Sequence, residues 1–172
     1  MGLYVSTSDF KGQDKLARDK FSTSELDIYI DKYEVRYLQD LMGCDMYEDF
    51  KTDFAILGNA PTDPKFVAIW EAFCFDDDCG IKRSEGIKSM LALFIYFEYL
   101  RDSKVKGNIG GININTQVNS TEAPFHVSNI YTNYNDALES YWAIQWYIYE
   151  YNPNAYNYEN FNGQLKDLIS WI

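Results

Sequence analysis

From Met90 to Phe97 the chain runs through eight apolar residues without a break, and Lys88 and Glu98 close the run on either side. Leu, Met and Ala are strong helix formers, and apolar residues on every side belong to a helix surrounded by protein. Ser84 is suited to cap it, Glu85 to its positive pole, and Arg101 and Lys104 to its negative pole. The pattern predicts a central buried helix over Ser84 to Lys104. A membrane span needs about 20 apolar residues, and the flanking charges stop this run well short of that.

Amphipathic helices surround this segment. Ser24, with Asp27 three residues on, forms a capping-box-like start. Leu26, Ile30, Tyr33, Tyr37 and Leu41 then mark one helical face, widened by Tyr29 and Leu38, and Gly43 is a natural stop. A second helix is expected over Asp45 to Leu57, with Met46, Phe50, Phe54 and Leu57 inward, closed by Gly58-Asn59-Ala60-Pro61. Asp63 and Pro64 open a third, running to about Phe75 with Phe66, Ile69, Trp70 and Phe73 on its face, before the acidic turn Asp76-Asp77-Asp78-Cys79-Gly80.

Residues 105–124 lose the helical period. Gly107, Gly110 and Gly111 break any helix, and Ile112-Asn113-Ile114-Asn115 alternates as a strand does. A projecting arm or β-hairpin is expected here, with an irregular surface loop as the plainer alternative. Ser128 is expected to cap a last long helix over Asn129 to Tyr151, with Ala137, Tyr141, Ile144, Ile148 and Tyr151 inward. An Asn/Tyr loop follows, and Phe161 to Ile172 has the spacing of a short closing helix.

The fold class expected is therefore mostly α: an antiparallel bundle of four to five helices around a central buried one, with the arm at 105–124. Residues 1–22 form an N-terminal arm, loose or ordered on a neighbouring subunit. Residues 23–151 form the helical domain, and residues 152–172 an Asn/Tyr-rich tail.

Charge changes this picture. The 172 residues carry a net charge of −11, which argues against a sequence-independent grip on DNA or on anionic lipid, since both need a basic face. Beyond Lys106 the only base is Lys166, among 12 Asn and 8 Tyr. Neutral polar groups and amphipathic rings suit packing against other protein surfaces, where Tyr is enriched and Lys is not. Cys44, Cys74 and Cys79 are odd in number and lack framework spacing, which points to reduced thiols in a cytoplasmic setting. No signal peptide is apparent, and Met1 to Ser6 matches the myristoylation pattern only in form.

Candidate chemistry is sparse. His126, the sole histidine, lies between Phe125 and Val127 with no nucleophile-elbow or other supporting signature, and reads as structural. Cys74 and Cys79 lack the pair spacing of a zinc site, and Asp76-Asp77-Asp78 lacks the alternation and closing Glu of a calcium loop. The Gly107 to Gly111 stretch has no Gly-Lys-Ser/Thr sequence for phosphate. The expectation is a non-enzyme with no catalytic residue, no cofactor and no metal.

Ile30 to Gly43, IDKYEVRYLQDLMG, with its tyrosine–leucine–glycine ending, and Met46-Tyr47-Glu48-Asp49-Phe50 after it resemble the first helix and the start of the second in the head–tail connector (neck adaptor) proteins of tailed phages. Gly80 to Leu100, GIKRSEGIKSMLALFIYFEYL, resembles the central helix, in particular that of variants from crAss-like and other Bacteroidetes phages. Gly107 to Ser120 falls where the family has a projecting loop, and a final aromatic helix follows.

The resemblance spans roughly 23–151 in element order and does not reach the tail after Tyr151. It implies a virion structural protein at the neck, forming a homo-oligomeric ring, usually of twelve, between portal and tail proteins. DNA passes through such a ring without specific binding, and no membrane is involved. Ile109, Ile112, Ile114 and Val118 are then candidates for the contact between subunits. Asp76, Asp77 and Asp78 are candidates to line a channel that repels DNA. The competing reading from charge alone is an acidic inhibitor that mimics DNA and binds a basic partner; an uncharacterised enzyme is the third.

Overall fold

The computed structural model describes residues 3–10, 23–77, 80–103, 105–108, 111–114, 125–151, 154–156, 163–164 and 166–167. The chain is mostly helical, as expected. Its elements in order are α1 (Thr23–Leu57), α2 (Pro64–Trp70), β1 (Phe73–Asp77), β2 (Gly80–Ser84), α3 (Gly86–Ser103), β3 (Val105–Asn108), β4 (Gly111–Ile114) and α4 (Phe125–Trp146), with a π-helical turn over Tyr147–Tyr151.

The first two helices expected from the sequence are both present, as the two arms of α1 on either side of a kink at Gly43. Gly43 departs from helical geometry (φ 74°, ψ 172°) inside α1, so the glycine does interrupt the ladder, but the chain resumes a helix at once. Leu26, Ile30, Tyr33, Tyr37, Leu38 and Leu41 are buried before the bend, and Met46, Phe50 and Phe54 after it. Leu57, expected inward, is exposed, because α1 reaches its end there.

The third helix is shorter than expected. Asp63 caps α2 by accepting the Lys65 N–H at 3.0 Å, with Pro64 at the first position. The helix stops at Trp70 rather than near Phe75. Phe73 and Phe75 belong instead to β1, which pairs antiparallel with β2 from Phe73↔Ser84 to Asp77↔Gly80. Alternation puts both phenylalanine rings on one side of the strand, where they meet the Tyr147 ring at 5.0 and 5.6 Å. That packing and the strand pairing outweigh the helical spacing of Phe66, Ile69, Trp70 and Phe73.

Ser84 ends β2 instead of opening the central helix within it, and its hydroxyl accepts the Gly86 N–H at 3.1 Å. Gly86 turns the chain with φ +84°, and α3 follows. Ile87, Met90, Leu91, Phe94 and Ile95 are fully buried, while Leu93 and Tyr96 are partly buried. Helices α1, α2 and α4 all contact α3, so the apolar run is the centre of the core. Burying one such side chain stabilises by about 1.5–3 kcal/mol.

β3 pairs antiparallel with β4, Val105↔Ile114 through Asn108↔Gly111. The last long helix begins at Phe125, so Ser128 lies inside its first turns and does not cap it. Of the closing helix expected over 161–172, Gly163, Gln164, Lys166 and Asp167 are described and none is helical.

The N-terminal segment is not loose over residues 3–10. Tyr4, Val5 and Phe10 are buried in the core. The Glu34 carboxylate on α1 accepts the backbone N–H groups of Leu3 at 2.6 Å, Tyr4 at 3.1 Å and Val5 at 3.4 Å. Lys88 on α3 pairs with Asp9 at 2.8 Å. Residues 11–22, the rest of the expected arm, lie outside the described residues.

Candidate functional site

The β1–β2 hairpin lies against α4, and the seam between them is a surface groove of about 380 Å³. β2 contributes Ile81, Lys82 and Arg83, and α4 contributes Glu139, Trp142, Ala143 and Trp146. The α4 residues follow three- and four-residue steps, which place them along one helical face. Ile81 is 60% exposed and Trp146 39% exposed, large apolar surfaces left to solvent beside a well-filled core. Lys82 Nζ stands 5.5 Å from the Trp146 ring centre, a cation–π distance. The edge of the groove carries two cations, Lys82 and Arg83, against one acid, Glu139, on a protein whose net charge is −11.

A second apolar surface lies at the end of α1. Ile56 is 68% exposed and Leu57 62%. Gly58 closes the helix behind them, its N–H bonded to the Phe54 carbonyl at 2.8 Å. Asp53, one turn back, accepts the backbone N–H groups of Thr62 at 2.7 Å and Asp63 at 3.0 Å, and the Thr62 hydroxyl. Burial raises the Asp53 carboxyl, but these bonds outweigh it and hold it below the ordinary carboxylate range. The bonds fix the loop that leaves the apolar tip standing clear.

The polar groups inside the protein hold its parts together. At the bend of α1, the Asp40 carbonyl accepts the Gln164 N–H at 2.6 Å and the Tyr141 hydroxyl at 2.8 Å. The Asp40 carboxylate pairs with Lys166 at 2.7 Å. Lys166 Nζ also lies 4.9 Å from the Tyr37 ring centre. Gln145 donates to the Gln164 carbonyl at 3.0 Å, and Trp142 Nε1 to the Lys166 carbonyl at 2.9 Å. Lys166, the one base beyond Lys106, thus straps the tail to α1 and α4.

Tyr37 donates to Glu98 at 2.8 Å, and Arg101 pairs with the same carboxylate. Burial, reinforced by Glu98, pushes the Tyr37 hydroxyl far above the ordinary tyrosine range. Burial raises Glu34, against the pull of its three backbone donors.

The residues singled out in the sequence are scattered among these surfaces. Asp76 is exposed on β1 opposite Ile81, and Asp77 pairs with Gly80 at the turn end of the hairpin. Ile112 and Ile114 belong to β4. His126 falls in the first turn of α4. Ile109, Val118, Asp78 and Cys79 lie outside the described residues. Cys44 and Cys74 are exposed free thiols. Among the described residues no three His, Cys, Asp or Glu side chains cluster as metal ligands would, and no helix is long and apolar enough to cross a membrane.

Sequence reasoning missed the groove because it placed Phe73 and Phe75 on a helix. The signal was present: Phe73-Cys74-Phe75 and Ile81-Lys82-Arg83-Ser84 flank a turn-forming Asp-Asp-Asp-Cys-Gly. No protein-family model, no curated protein and no solved structure matches this chain.

Proposed function

We propose that this chain is a structural virion protein, the subunit of a ring between portal and tail that extends the DNA channel and docks tail components. In this reading the helices form an antiparallel bundle around α3, the β3–β4 segment projects as an arm, and the acidic residues from Asp76 onward face DNA. What supports it first is the sequence resemblance over roughly 23–151. The observation that carries it furthest is the pair of exposed apolar surfaces, the α1 tip and the β2–α4 groove, which a protein acting alone leaves without purpose.

The two surfaces differ in shape and charge. Unlike patches that dock on each other make heterologous contacts, which close into rings when the rotation permits. The test is the mass of the purified protein, alone and with its portal protein. A ring, or one templated by portal, is expected. A 20.1 kDa monomer that ignores portal and binds a basic nuclease would overturn the reading in favour of the acidic inhibitor.

A further inference from the structure

We infer that the α1 tip of one copy, Ile56 and Leu57, seats in the β2–α4 groove of a second copy. The tip is a pair of aliphatic side chains more than three-fifths exposed, and within its own chain it does not line the groove. The groove holds about 380 Å³, ample for aliphatic side chains when a liquid water occupies about 30 Å³. Its apolar surface is Ile81 and Trp146, both exposed.

Charge selects the occupant. A chain of net charge −11 repels its own copies unless its few bases meet its acids. On α1, Asp45, Asp49 and Ile56 fall on one face at helical spacing, and the two aspartates are exposed. Asp49 lies roughly 10 Å up the helix from Ile56, at 1.5 Å per residue. On β2, Arg83 lies about 7 Å from Ile81 along the strand. Seating Ile56 beside Ile81 therefore brings Asp49 within side-chain reach of Arg83. Each contact uses one copy's tip and the next copy's groove, and leaves a tip and a groove open for further copies.

This inference rests on the proposed ring and names the surfaces through which copies meet. Two variants test it by light scattering: Ile56→Asp with Leu57→Asp, which spoils the tip, and Arg83→Glu with Trp146→Ala, which spoils the groove. The wild-type chain is expected to grow beyond 20.1 kDa with concentration, and each variant to stay at that mass with an unchanged circular dichroism spectrum. Their equimolar mixture is expected to double that mass and stop, because each mixed pair retains one good tip and one good groove.

Should either double variant unfold, the single substitutions Ile56→Ser and Arg83→Ser read the same loss. Variants that associate like the wild type, or a mixture that stays monomeric while the wild type associates, overturn the inference and leave the ring to other surfaces. A wild-type chain still monomeric at about 1 mM, where a contact of roughly −4 kcal/mol is half-formed, overturns it too. The mass with portal then decides the ring separately.

Discussion

Gly86→Ala tests the junction on which the core is hung. Gly86 has φ +84°, and a Cβ added there meets the Trp70 carbonyl oxygen at 2.3 Å and the Glu71 carbonyl carbon at 2.8 Å. Two effects add. The left-handed backbone alone costs a side chain about 1–2 kcal/mol. The clash is with backbone at the end of α2, which cannot swing aside as a side-chain tip can, and overpacking of this kind costs typically 1–3 kcal/mol.

A loss of about 2–5 kcal/mol is expected, a large share of the roughly 5–15 kcal/mol that holds a domain together. For a chain of this length each kcal/mol moves Tm by about 2–4 °C, so calorimetry should show a fall of roughly 4–20 °C. Gly58→Ala is the control. Gly58 also has positive φ, at +74°, but nothing lies within 4 Å of its added Cβ, so it should show the conformational cost alone. Equal falls in the two variants would refute the close approach of α2 to the start of α3.

Two further substitutions follow from the buried and capping carboxylates. Glu34→Gln turns an NH2 group toward backbone donors at Leu3, Tyr4 or Val5, and a loss of about 1–3 kcal/mol is expected. Amide exchange at Tyr4 and Val5 should accelerate, and unchanged protection would refute the clasp. Acid titration separates the opposing carboxylates. Burial raises Asp9 and Asp53, but in Asp9 the bonds from Lys88 and Ser6, and in Asp53 those from Thr62 and Asp63, outweigh it and hold both down. Their contribution is present above the ordinary aspartate value near 4 and is lost as pH falls through the depressed folded values.

Glu34 is raised, so its titration stabilises at low pH, and that contribution is lost as pH rises through its folded value. Asp53→Asn should therefore flatten the loss of stability in acid, and Glu34→Gln should steepen it. Denaturation midpoints measured between about pH 2 and 6 that follow the same slope in both variants would contradict these assignments.

The helical period located most of the core because it depends on neighbours in sequence. Ile30, Tyr33, Tyr37 and Leu41 face inward as their spacing requires, and the unbroken run in α3 is buried because no side of it is polar. Features that depend on distant partners were less legible. Glu34 stands four residues after Ile30 and four before Leu38, on the apolar stripe itself. That position signals burial, but not that residues 3–5 would meet it.

Gly43 was correctly read as an interruption, yet whether a chain stops or bends after one is settled by packing beyond the break. Phe73 suited both a helix and a strand, and the Tyr147 ring, 74 positions away, decided between them. Of the candidate interface, only the backbone pairing of β3 with β4 can be compared with the expectation. The β2–α4 groove forms only once the two elements meet.

Asp40 and Lys166 are 126 positions apart, and this gives the bend in α1 a history as well as a shape. Asp40 leaves the ribosome long before Gln164 and Lys166 exist. Until they arrive, its carbonyl and carboxylate have only water or provisional donors. The angle between the two arms of α1 is therefore finished by residues made more than a hundred positions after the hinge itself, the Lys166 partner of Asp40 coming 126 positions later.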